Sequence, residues 1–76
     1  MTTSLAKIKA VDAASKTEDF DDALATVQES LSLTGMNAGG FFDDYDRSRW
    51  SLMLYSDRYV LLENYVNYEL NQEKEA

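Results

Sequence analysis

Phe20, Leu24, Val27 and Leu31 recur at i, i+4, i+7 and i+11, which puts four large apolar side chains on one face of a helix. Such a stripe is not stable in water alone, so the rest of the chain has to supply a surface that covers it. Ser15 followed by Glu18 has the form of a capping box, with Thr17 as the alternative cap. Glu18, Asp19, Asp21 and Asp22 crowd the first turns, where unpaired N–H groups and the helix dipole favour carboxylates. Gly35 is placed to end the helix in a left-handed conformation. The expected span is about 16–33.

The flanking segments are read against that helix. Leu5, Ile8 and Val11 lie three apart within residues 4–14, the rhythm of a short helix with one apolar stripe, capped by Thr3 or Ser4. From Gly35 to Arg49 the periodicity breaks. Gly39-Gly40 forms a flexible joint, and Phe41 and Phe42 follow at once. If extended, those two rings face opposite ways, so one of them is expected to stand out as an anchor. Trp50 to Tyr55 reads as a strand with Trp50, Leu52 and Leu54 on one face. Ser56-Asp57 then turns into a second strand over 59–63. After Asn64 the composition favours a short closing helix, 65–73. Tyr59, Leu62, Val66 and Leu70 also keep helical spacing. The expected class is therefore α+β, an N-terminal helical pair with a β-hairpin and a short C-terminal helix. The alternative is a small all-α bundle in which 57–73 forms one helix.

With 76 residues the chain is read as one domain, 1–76, with ragged ends about 1–3 and 74–76. Surface scaling gives roughly 4,700 Å² exposed when folded, so that about 60% of the extended surface is buried. Without Cys or His, thiol chemistry, Cys-based zinc sites and Ser-His-Asp triads are excluded. The chain is expected to be neither an enzyme nor a cofactor carrier. No apolar stretch is long enough to span a bilayer, and the N-terminus lacks a continuous apolar region of the signal-peptide kind. A cytoplasmic location is expected.

Charge is distributed in blocks. The chain carries 14 acids against 7 bases, a formal charge of −7. Eight acids and no base lie between residues 17 and 46, while 47–58 holds three arginines against one aspartate. Such a surface repels phosphate backbones and anionic membranes, and attracts basic proteins. The expected function is a non-catalytic protein-binding module, a small inhibitor or regulator that occupies the basic groove of a nucleic-acid-handling protein in place of phosphate. Asp19, Asp22, Asp43, Asp44 and Asp46 would carry the charge, with Phe42 and Tyr45 as anchors. The alternative is a structural subunit, a possible homodimer, joined through its aromatic face, the acids serving only solubility. Tyr65 or Tyr68 would then be left for an interface. A calcium loop begun at Asp44 supplies Asp46 and Ser48 but then fails. Arg49 stands where glycine is needed, and Tyr55 where the bidentate glutamate belongs.

Overall fold

The computed structural model describes residues 2–75, with side chains described for 5–71. The ends expected to be ragged lie at or outside those limits. Helices α1 (Thr2–Ser15), α2 (Phe20–Ser30), α3 (Ala38–Phe41) and α4 (Asp44–Arg49) are followed by a 3-10 turn, Trp50–Leu52, and the long α5 (Tyr55–Glu75). There is no strand among the described residues. The α+β expectation is corrected: the protein is an all-α bundle of 33 × 24 × 17 Å, the architecture of the alternative. Its accessible surface is 4871 Å².

The hairpin fails for a local reason. Trp50 turns into a 3-10 helix that ends at Met53 in extended backbone. This aims Trp50 inward and Leu52 and Leu54 outward, whereas a strand would have kept all three on one face. Asp57 then falls in the first turn of α5, a position where the helix dipole favours a carboxylate, so Ser-Asp opens a helix rather than turning a hairpin. From there the spacing of Tyr59, Leu62, Val66 and Leu70 runs as one helix. Leu62 and Val66 are fully buried, and Tyr59 and Leu70 pack at the edge.

The other boundaries also move. Ser15 does not cap α2: its hydroxyl donates to the Val11 carbonyl at 2.6 Å, inside α1. The capping role passes to Asp19, whose Oδ2 accepts from the Asp22 N–H at 3.0 Å, so α2 starts four residues later than expected. It ends at Ser30, and Ser32 (φ 55°) takes up the left-handed conformation ahead of Gly35 (φ 77°). Within α1, Val11 is buried but Leu5 and Ile8 face solvent. The buried face is Ala10, Val11 and Ala14, small residues that let α1 approach its neighbours closely.

The core is one cluster built on the aromatic residues. Phe20 makes edge-to-face contacts with Phe42 (5.0 Å) and Trp50 (5.7 Å), and Phe42 reaches Tyr65 (5.0 Å). Helix α1 runs antiparallel to α5. Lys7 meets Asn67, Asp12 meets Tyr55, and Ser15 meets Arg58.

Candidate functional site

The expected binding residues occupy the starts of two helices. Asp43 caps α4 as Asp19 caps α2, its Oδ1 accepting from the Asp46 N–H at 2.8 Å. Asp22, Asp44 and Asp46 sit in the first turns, placed where backbone N–H groups and the helix dipole stabilise a carboxylate. Arg47 links the two clusters. Its guanidinium lies 3.7 Å from Asp21 and 5.0 Å over the Phe20 ring. Arg49 pairs with Asp46 at 3.3 Å and stacks on Tyr45 at 4.8 Å. Between the start of α2 and the 3-10 turn is an open depression of about 300 Å³, walled by Glu18, Asp19, Asp21 and Arg47.

The two expected anchors separate. Tyr45 is 67% exposed between Asp44 and Asp46. Phe42 is only 3% exposed, and this expectation is corrected: α3 ends at Phe41, and the extended residue that follows turns its ring into the Phe20 cluster. Phe41 is half-buried against Tyr65 and Tyr68. Both rings therefore pack, because the backbone changes from helical to extended between them. Tyr65, proposed for an interface, is buried as well; its hydroxyl accepts from Gln28 and donates to Glu69. Tyr68 is half-buried.

A different surface is open. Leu52 is 84% exposed, Leu54 70% and Tyr55 44%, an apolar ridge at the junction of the 3-10 turn and α5. As a strand, Leu52 would share a face with the core residue Trp50. The 3-10 turn takes it off that face. Tyr55 is held in place by its hydroxyl, which donates to Asp12 on α1. That bond, then burial and the Asp12 charge, push the Tyr55 phenol up to about 12. The same bond, followed by one from Lys16, holds the Asp12 carboxyl below its ordinary range.

Behind this ridge lies Arg58, which is buried. Its Nε donates to the Trp50 carbonyl (3.0 Å), Nη2 to Ser51 (3.1 Å), and Nη1 to Ser15 (3.3 Å) and Thr17 (3.4 Å). The guanidinium also lies 5.2 Å over Trp50, whose indole N–H donates to the Thr17 carbonyl at 2.9 Å. Five donors on a planar fork suit this divergent set of acceptors. Arg58 thereby fixes the ridge to the end of α1.

Among the described residues, no three His, Cys, Asp or Glu side chains converge as metal ligands, and no helix is long and apolar enough to cross a membrane. Comparison with known protein families, with characterised proteins and with solved structures found no match to this chain. What the fold defines is a small helical bundle with an acidic, capped end and an apolar ridge.

Proposed function

We propose that the protein is a non-catalytic structural subunit that self-associates through the ridge of Leu52, Leu54 and Tyr55. The observation that carries this reading is the outward placement of two leucines and a tyrosine in four consecutive residues, braced by Arg58 and Asp12 from behind. Exposed apolar surface on a rigid support gains on the order of 25 cal/mol per Å² when a second copy covers it. The ridge lies in the segment where arginines outnumber acids, so two −7 chains meet there with least repulsion. Three side chains give a contact smaller than the roughly 1,200 Å² of a stable interface, and association is expected to be weak and concentration-dependent. Salt screens the mutual repulsion and strengthens it. Sedimentation over a range of protein and salt concentrations tests the proposal. The mass should rise with both and return to one chain in Leu52→Asp. One-chain mass throughout would overturn it.

A second reading rests on Tyr45, which projects between Asp44 and Asp46 beside the acids of α2. Here the acidic end docks on a basic protein, as an inhibitor or regulator standing in for phosphate. The sign of the salt effect is opposite, because attraction between unlike charges weakens on screening. Retention of basic proteins by the immobilised chain at low salt, lost at high salt and in Tyr45→Ala, supports this reading. Salt-independent retention counts against it.

A further inference from the structure

We infer that residues 34–41 form a strap that lifts from α5 as a unit while the rest of the bundle stays folded, uncovering the Tyr65–Glu69 pair beneath it. The strap lies between two buried anchors, Leu33 and Phe42. Its backbone hydrogen bonds close on themselves: Ala38 N–H donates to Gly35, Gly40 and Phe41 to Asn37, and Phe42 to Ala38, at 3.0–3.2 Å. None of these reaches α1, α2 or α5. What holds the strap down is the buried Ala38, the half-buried Phe41 against Tyr65 and Tyr68, and one hydrogen bond from Asn37 Nδ2 to Glu69 Oε1 at 3.2 Å. Gly35, with φ at 77°, is a hinge at one end. The extended Phe42 (φ −98°, ψ 131°) marks the other.

The glycine pair supplies the second argument. Gly39 and Gly40 are helical and exposed, neither has positive φ, and a Cβ at either would meet nothing within 4 Å. Neither sterics nor backbone geometry requires glycine there. Each instead lowers the stability of the helical turn by about 0.5–1 kcal/mol relative to alanine. A turn weakened at two positions and pinned by one side-chain bond opens at a lower free energy than the core around it. Lifting it takes Phe41 off Tyr65 and Tyr68 and Asn37 off the Glu69 carboxylate, opening an aromatic floor with one acid.

Native-state hydrogen exchange of the full chain, corrected for intrinsic rates, tests this. Amides of 40–42 should exchange at least about tenfold faster than those of Leu62 and Val66. Gly39→Ala/Gly40→Ala should slow the strap amides by about 5- to 30-fold with α5 unchanged. Asn37→Ala removes the latch without removing a cap, since the Asn37 side chain makes no capping bond; it should speed the strap amides by roughly fivefold. Equal protection of strap and core, or strap and core shifting together in either variant, would show a single cooperative unit and overturn the inference.

Discussion

Helix α5 buries two charged side chains, and their surroundings differ. Arg58, near its start, spends its donors on four backbone carbonyls from two other segments, Ser15–Thr17 and Trp50–Ser51. Glu69, eleven residues on, takes its bonds from two side chains, the Tyr65 hydroxyl and Asn37 Nδ2. Carbonyls at the ends of helical segments carry partial negative charge and cannot rotate away, so they form a preorganised cage for a cation. Side-chain partners adjust to whatever replaces the acid. The Arg58 end is thus a rigid joint between distant parts of the chain. The Glu69 end holds down a weak strap.

The largest expected effect tests that contrast directly. Arg58→Met should lower stability by about 3 kcal/mol, because carbonyls of two segments lose their donors at once. Urea unfolding followed by Trp50 fluorescence measures it. Arg58→Lys should recover less than half, since an ammonium cannot reproduce the fork. Glu69→Gln should cost about 1 kcal/mol or less, because the carboxamide oxygen still accepts from Asn37. Equal losses at the two positions would break the comparison.

Asp19→Ala removes an exposed cap from the start of α2 and should cost about 1 kcal/mol. Asp43→Ala, at the start of a six-residue helix, should cost about half that. The difference in urea midpoint between the two variants sharpens the role of backbone acceptors and donors as fixed partners. The smallest effect is expected at the exposed Tyr55–Asp12 pair. Tyr55 has its pKa raised when folded, so its contribution is complete below the ordinary phenol value of about 10 and is lost as pH rises toward about 12. Asp12 is shifted down, so its contribution holds above the ordinary carboxylate range and fades in acid. The urea-midpoint difference between wild type and Tyr55→Phe should be level from pH 6 to 9 and shrink between 10 and 12. A difference that grows there would contradict the assignment of donor and acceptor.

Much of α2 and α5 is legible in their spacing. Of the α2 stripe, Phe20 and Val27 are buried while Leu24 and Leu31 pack at the edge of the core. Residues 59, 62, 66 and 70 lie on the inner face of α5, the helical spacing of the all-α alternative rather than of the expected strand over 59–63. Trp50 is core, as its size suggests. The reading failed where a short segment satisfies two periods at once. Trp50–Tyr55 is too brief to separate strand from turn, and Ser-Asp serves equally as a bend or a helix start. It failed again at the anchors. Phe42 points inward because one residue changes backbone region between two rings, and nothing in the dipeptide announces which residue that is. The candidate surface was missed because a strand keeps Leu52 and Leu54 on the face of Trp50, and the 3-10 turn does not.

The amino-acid order alone determined that this chain is small, acidic and without thiol or imidazole chemistry. It also set a helical spacing over residues 20–31 and gathered acids between residues 17 and 46. These follow from composition and local repeat, which act within a few turns. Tertiary packing decided the all-α class, the burial of Phe42, Tyr65 and Glu69, and the exposure of Leu52 and Leu54. The three burials depend on partners more than twenty residues away, Phe20 for Phe42, Gln28 for Tyr65 and Asn37 for Glu69. Arg58 reaching Ser15 and Thr17, and Glu69 reaching Asn37, are bonds that no local pattern encodes.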